Sequence, residues 1–253
     1  MVIYQVSDAV ATVTLNRPEK RNALDDHAIT ELKRHFAAAS ADGAVKVILL
    51  RGAGSDFCAG ADLSQLEHIA AGATRDQNFA DAMKLGELLI QMRRLNKPII
   101  AAVQGNALAG GAGLATACDL VVADQNAVFG YPEVKLGFVP AMVMALLVRI
   151  VGENTAFQLT AFGNTITAAE AQRLGLVNQV ITGDFDAGVS QYASELAGRS
   201  GSAVQLIKRL LHDIDGLSFE DAIVRGAEIN VLARETDDCK NGVRHFLDAR
   251  RRK

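Results

Sequence analysis

An α/β fold with a helical C-terminal region is what the hydrophobic patterning of this 253-residue chain predicts. Short β-branched runs alternate with segments of helical period through the first part of the chain, which is the signature of strand–helix–strand units. From Thr167 onward the pattern turns almost wholly helical, with few strands of its own. Hydrophobic residues make up 49% and charged residues 22%, with no low-complexity run, so the chain has the material for a sizeable core. We therefore expect an α/β core over residues 1–195 and a helical region over 196–253 that packs on a neighbouring subunit.

Residues 2–6 and 10–15 are β-branched runs separated by Ser7-Asp8-Ala9, which reads as a hairpin. After the polar loop Asn16-Arg17-Pro18-Glu19-Lys20-Arg21-Asn22, Asp25 or Asp26 can cap a helix whose Ile29, Leu32 and Phe36 fall at helical spacing. Residues 45–50 read as a buried strand, 99–103 as another, 110–118 as a helix opened by glycine, and 120–123 as a further strand. In the C-terminal part helices are expected at 167–174, 184–197, 202–211, 218–234 and 237–250.

Composition narrows the functional classes. A formal net charge of −3 gives no general attraction to nucleic acid or anionic membrane, and the basic end Arg250-Arg251-Arg252-Lys253 reads as a solvated terminus, with a phosphate contact as the alternative. Cys58, Cys118 and Cys239 stand at unrelated spacings, which suits neither a disulfide framework nor a zinc site and fits a reducing cytoplasm. The N-terminus lacks the basic and apolar regions of a secretory signal. The longest apolar stretch, 136–148, is interrupted by Pro140 and falls short of the roughly 20 residues a membrane span needs.

Several chemistries lack their residues. No G-x-S-x-G elbow occurs, so serine hydrolysis is unsupported. The segment from Gly105 to Gly110 has the outer spacing of a phosphate loop, but Gly111 and Ala112 stand where Lys and Ser/Thr are needed. The histidines are scattered, and the His27/Glu31 pair reads as a solvated helix face, so no metal site is expected.

Two glycine-centred turns remain: Phe57-Cys58-Ala59-Gly60-Ala61-Asp62-Leu63 after a strand, and Gly105-Asn106-Ala107-Leu108-Ala109-Gly110-Gly111-Ala112-Gly113 before a helix. Small residues there let a ligand approach the backbone, and N–H groups at a helix start point outward. Such turns can form an oxyanion hole; the alternative is that the glycines serve tight packing. A third segment, Ala127-Val128-Phe129-Gly130-Tyr131-Pro132-Glu133-Val134-Lys135-Leu136-Gly137-Phe138-Val139-Pro140, sets Glu133 among apolar and small residues, where desolvation raises a carboxyl toward neutrality. Taken singly, Glu133 also reads as a surface charge beside Lys135.

In this order and with these flanks, the three segments resemble the crotonase (enoyl-CoA hydratase/isomerase) superfamily over nearly the whole chain, from the opening hairpin and Asn22-Ala23-Leu24 to Phe246-Leu247-Asp248. The resemblance implies a crotonase-like spiral of ββα units, C-terminal helices that build a homotrimer or dimer of trimers, and an acyl-CoA substrate. No separate cofactor is implied, since coenzyme A is part of the substrate. By position, Ala61 and Gly110 match the two backbone donors of the oxyanion hole. Arg21, Ala23, Leu24, Ala59, Asp62, Leu63, Gly111 and Pro132 fall in regions implied to bind substrate. Glu133 matches the second of two glutamates that the family's hydratases use, and the first falls on Gly113, which has no side chain to ionise.

A single carboxylate can shuttle a proton between two carbons, so isomerisation of an enoyl-CoA double bond needs only Glu133. Hydration through one carboxyl group stays open, and Asp62 or a neighbour's C-terminal helix stands as a source of a replacement carboxylate. A catalytically silent acyl-CoA-binding or assembly protein is the alternative from another class. Phe138, Val139, Ala141, Met142, Val143 and Met144 read equally as acyl-pocket lining and as ordinary core.

Overall fold

The computed structural model describes residues 2–62 and 72–252. It opens with β1 (Val2–Ser7) and β2 (Val10–Leu15), an antiparallel pair with Val2 opposite Leu15 and Ser7 opposite Val10. Asp8 and Ala9 form the two-residue turn at φ 49° and 64°, the doubly positive conformation whose twist suits a hairpin. Through α1 (Asp26–Ala41), capped by Asp25, the chain reaches β3 (Val47–Gly52). Through α2 (Arg75–Arg94) it reaches β4 (Ile99–Val103), and through β5 (Asn106–Leu108) and α3 (Gly110–Ala117) it reaches β6 (Leu120–Asp124).

Beyond β6 come β7 (Val128–Gly130), a 3-10 turn over Pro132–Leu136, α4 (Ala141–Val151), α5 (Glu153–Phe162), β8 (Thr165–Thr167), α6 (Ala168–Arg173) and β9 (Gln179–Ile181). The chain ends in α7 (Phe185–Ala197), α8 (Gly201–Asp213), α9 (Phe219–Glu235) and α10 (Asp237–Arg251).

Six strands form one sheet in the order β1-β2-β3-β4-β6-β9, parallel from β2 onward. One face packs Ile48, Leu50, Ala101 and Val103 beneath Leu32 and Phe36 of α1 and Leu88 and Met92 of α2. The other face packs Val47, Leu49, Ile100, Ala102 and Val122 against Val189, Ala193 and Ala197 of α7. With both faces covered, β4 and the first four residues of β3 read as continuous apolar runs rather than alternating ones. A smaller sheet, β5-β7-β8, stands at the carboxyl ends of these strands, with β7 parallel to β5 and antiparallel to β8.

The expected strand at 45–50 begins two residues later, because Val45 N–H donates to Asp42 O and Lys46 N–H to Ala9 O before the ladder starts. The C-terminal helices lie close to their expected bounds. Their entries are fixed by side chains of Thr167, Asp184, Ser200, Ser218 and Thr236, each accepting from a backbone N–H three residues on. Among the described residues no helix is long and apolar enough to cross a membrane.

Candidate active site

Open parallel sheets bind ligands beyond the carboxyl ends of their strands, where chain segments diverge. Here three such segments meet: the turn after β3, the β5–α3 connection after β4, and the Tyr131–Gly137 stretch that follows β6 and β7. The loop between β2 and α1 ties the first of them down. Asn22, buried and at φ 56°, donates through Nδ2 to Ala53 O (2.8 Å) and Asp56 O (2.7 Å) and accepts at Oδ1 from Arg17 N–H (2.9 Å). Arg17 in turn reaches Asp62 (2.8 Å), Asp25 (2.7 Å) and Ala23 O (3.0 Å) through its guanidinium. Burial alone raises the Asp56 carboxyl, but hydrogen bonds from Arg21, from the Asn106 side chain and N–H, and from Ser55 outweigh it and hold the group at about 2. Asp56 thus locks the first two segments together as a permanent anion.

The orientation of Ala61 follows from its neighbours. In the parallel bridge between Leu24 and Ala61, Leu24 N–H donates to Gly60 O (2.7 Å) and Leu24 O accepts from Asp62 N–H (2.8 Å). Peptide groups alternate along an extended segment, so Ala61 N–H points away from Leu24. The β5–α3 connection lies alongside. Cys58 pairs with Ala107 in a second parallel bridge, and a Cβ on Gly60 would stand 3.0 Å from Ala109 Cβ and 3.4 Å from Gly110 N. Only glycine suits Gly60, at φ 101° and with so little room. Gly110 opens α3 and has no intrahelical acceptor for its N–H. The residue before it, Ala109, holds φ 49° and ψ −123°, a conformation disfavoured for any residue with a Cβ.

Glu133 is brought to the same region by β7. Gly130 O accepts from Ala109 N–H (2.8 Å), and three residues later Glu133 sits in the 3-10 turn begun by Pro132 and closed by Gly137 in the left-handed region. Glu133 Oε2 is buried and has no hydrogen-bond partner among the described residues. Burial pushes its carboxyl above the usual range, partly offset by a hydrogen bond from its own backbone. Nearby, Thr116 Oγ1 lies 2.7 Å from both Ala112 O and Tyr131 Oη. The threonine has one proton and gives it to the carbonyl, so Tyr131 must donate to Thr116. Burial raises the Tyr131 phenol, the Thr116 bond partly offsets this, and the Glu133 charge adds to the rise. Tyr131 keeps its proton and ties the Glu133 segment to α3.

The enoyl-CoA hydratase/isomerase family profile matches residues 5–253. The chain belongs to that family. This family member is 35% identical over 251 residues to 2,3-dehydroadipyl-CoA hydratase of Escherichia coli K12, covering 98% of this chain and 96% of the relative. It is 33% identical over 254 residues to crotonyl-CoA hydratase of Syntrophomonas wolfei, covering 99% and 96%. A crystal structure of enoyl-CoA hydratase from Mycobacterium smegmatis matches with a TM-score of 0.92 at 28% identity, covering 98% and 96%. The fold is the expected crotonase fold, and the protein is an enoyl-CoA hydratase/isomerase family enzyme.

Within that family frame, the other residues singled out in the sequence have the following surroundings. Asp62 is buried and faces Arg17, with Lys20 at 3.6 Å, so its carboxylate is held in an ion-pair cluster rather than offered as a replacement base. Gly111 is a packing glycine, since a Cβ there would collide with the Cys58 carbonyl. Arg21 bonds Asp56 at 3.1 Å while staying half exposed. Ala23 and Leu24 are buried, and Ala59 N–H donates to Arg21 O, so these residues join the loop to the β3 turn. Pro132 starts the turn that carries Glu133, and Leu63 lies outside the described residues.

The segment after Gly137 divides. Phe138 and Val139 are exposed, Met142 and Met144 pack at the edge of the core, and Val143 is buried against Gly113. Sequence reasoning missed Asp56, Asn106 and the Tyr131–Thr116 pair, since nothing in their spacing distinguishes them from ordinary polar residues. Among the described residues no group of three or more His, Cys, Asp or Glu is arranged to hold a metal ion. A cleft of about 690 Å³ lined by Arg93, Arg149, Lys208, His212 and Asp215 contains none of Ala61, Gly110 or Glu133.

Proposed function

We propose that the protein acts on an enoyl-CoA thioester, with Ala61 and Gly110 N–H receiving the thioester oxygen and Glu133 moving a proton at the neighbouring carbon. The observation that carries this reading is the buried Glu133 Oε2, without a hydrogen-bond partner among the described residues and with its carboxyl pushed upward by burial. A carboxyl so placed holds its proton more firmly than an exposed glutamate, which favours its returning a proton as well as taking one. The adjacent Gly60-Ala61 and Ala109-Gly110 turns offer rigid N–H donors, each such donor being worth about 10²–10³ in rate where charge develops on an oxygen. The relatives' names, hydratases of 2,3-dehydroadipyl-CoA and crotonyl-CoA, support the substrate class.

One carboxyl group serves either of two reactions. In isomerisation, the Glu133 carboxylate removes a proton from C2 of a 3-enoyl thioester, the electrons shift onto the thioester oxygen at the two donors, and the acid returns the proton to C4. In hydration, the carboxylate deprotonates a water that adds to C3 of a 2-enoyl thioester, and the same group then protonates C2. The chemistry needs no metal and no cofactor beyond the coenzyme A that the substrate carries. The backbone of residues 21–24 and 59–62, with the half-exposed Arg21, forms the seat for that coenzyme portion.

The C-terminal helices expose Ile207, Leu211, Phe219, Ile223, Val224 and Phe246, an apolar surface suited to a homotrimer or dimer of trimers. Light scattering of a monomer at working concentration would exclude that assembly.

The deciding experiment compares hydration of 2-enoyl-CoA with isomerisation of 3-enoyl-CoA for the wild type and Glu133→Gln. We expect turnover in at least one assay and its loss in the variant, with CoA-ester binding retained. A protein that is stabilised by acyl-CoA yet inert across a broad panel would instead be a silent acyl-CoA-binding protein, and undiminished turnover by Glu133→Gln would remove the proton-carrier role.

A further inference from the structure

Gly113 lies one turn beyond Gly110 on α3, and α4 crosses directly over it. A Cβ built at Gly113 would overlap Val143 Cγ2, with Val143 Cβ and Cγ1 each only 3.6 Å away. Val143 is 3% exposed and lies with Leu146 and Leu147 on the buried side of α4. A β-branched side chain in a helix has one strongly preferred χ1 rotamer, so the methyl group cannot swing aside without strain. The space that a side chain at position 113 would enter is therefore occupied, and its occupant is apolar.

We infer that Val143 is a specificity-determining residue: by filling the space beside Gly113 it excludes a second acid/base side chain from α3 and commits the site to one-carboxyl chemistry. This rests on the reading of Glu133 as proton carrier. Two residues on different elements enforce the same condition. Gly113 supplies no carboxylate, and Val143 prevents one from being accommodated by substitution at 113 alone. With no carboxylate at position 113, Glu133 must both activate the water and protonate C2 if hydration occurs. Isomerisation meets no such demand. The relative rates of the two reactions are thus governed by the pair 113/143 rather than by position 113 alone.

The test is a set of variants read by two independent measurements. Thermal midpoints are compared for Gly113→Ala, Val143→Ala and the double variant; hydration-to-isomerisation ratios are compared for the wild type, Gly113→Glu, and Gly113→Glu with Val143→Ala. The overlap predicts that Gly113→Ala melts well below the wild type and that adding Val143→Ala restores much of the loss instead of adding to it. It further predicts that Gly113→Glu alone folds poorly or keeps the wild-type ratio. The Gly113→Glu, Val143→Ala protein should shift the ratio toward hydration by about tenfold or more, a fraction of the about 10²–10⁴ that a well-placed general acid or base supplies.

Additive losses in the alanine set would overturn the inference even if no glutamate variant folds. So would a folded Gly113→Glu that shifts the ratio without help from Val143→Ala, or a folded double variant with an unchanged ratio. If Glu133→Gln leaves turnover intact in every background, the proton-carrier reading fails by itself, while the coupling of the alanine variants still reports separately on the packing at 113 and 143.

Discussion

Arg17→Ala should both destabilise the protein and slow turnover, because one guanidinium holds the β2–α1 loop to the turn that presents Ala61. The Asp62 carboxylate it contacts is 5% exposed, whereas Asp25 is 30% exposed. Removing one partner of a buried ion pair costs about 3–5 kcal/mol, while an exposed pair is worth about 0–1 kcal/mol. Lys20 remains 3.6 Å from Asp62 and offsets part of the loss, so the lower end of that range, about 3 kcal/mol, is expected. For a chain of this size each kcal/mol moves the melting midpoint by about 2–4 °C, giving a drop of roughly 6–12 °C.

The link to activity is geometric. Asp62 N–H and Gly60 O clasp Leu24 on either side of Ala61, so a loosened Asp62 lets the Ala61 N–H wander. Loss of one oxyanion donor lowers kcat by about 10²–10³, and partial misplacement should lower it by about tenfold, with a smaller change in KM. Thermal denaturation followed by circular dichroism, together with steady-state kinetics on an enoyl-CoA, gives both quantities. A variant that melts within about 2 °C of the wild type and keeps its kcat would refute the reasoning.

Other outcomes follow from the same geometry. Ala109→Gly relieves the strained dihedral before Gly110, and since such strain costs about 1–3 kcal/mol against an entropic loss of about 0.5–1 kcal/mol, urea unfolding should show a gain near 1 kcal/mol, and an unfolding midpoint below that of the wild type would count against stored strain there. Tyr131→Phe removes one hydrogen bond to Thr116 and should cost about 0.5–1.5 kcal/mol while leaving the pH profile of kcat in place; a loss of turnover as deep as that of Glu133→Gln would make the phenol itself a catalytic acid. Glu133→Gln should be more stable than the wild type at pH 8. Because the folded carboxyl is raised, ionisation disfavours the native state as pH climbs from the ordinary glutamate value of about 4.3 through the folded one. Melting curves should show that advantage vanishing near pH 4, with equal midpoints at both pH values counting against a raised carboxyl.

The sheet and the C-terminal helices were legible in the sequence for physical reasons. Buried β4 and the stretch Val47–Leu50 of β3 are unbroken apolar runs, and each late helix announces itself with a Ser, Thr or Asp whose side chain caps the first turn. Helix α2 was missed although Thr74 and Gln77 form a capping box, because its buried residues Leu88, Leu89 and Met92 crowd toward one end and its first turns are polar. The three-residue strands β5, β7, β8 and β9 are too short for an alternating pattern to register.

At the site, residues whose meaning is local were readable: glycine at a close approach, and a glutamate amid apolar neighbours. Residues whose meaning is a distant partner were not. Asp62 reads as a ligand contact until Arg17, forty-five residues earlier, is found beside it. Val143 reads as core or pocket until α4 is seen lying on Gly113.

The most direct test of a carboxyl that moves a proton beside a polarised thioester is independent of which overall reaction the enzyme performs. A saturated acyl-CoA incubated with the protein in deuterium oxide should acquire deuterium at the carbon next to the thioester, as read by mass spectrometry. The wild type should catalyse this exchange and Glu133→Gln should lose it while still binding the ester. Equal exchange by the two proteins would contradict the assignment of Glu133 as the proton carrier.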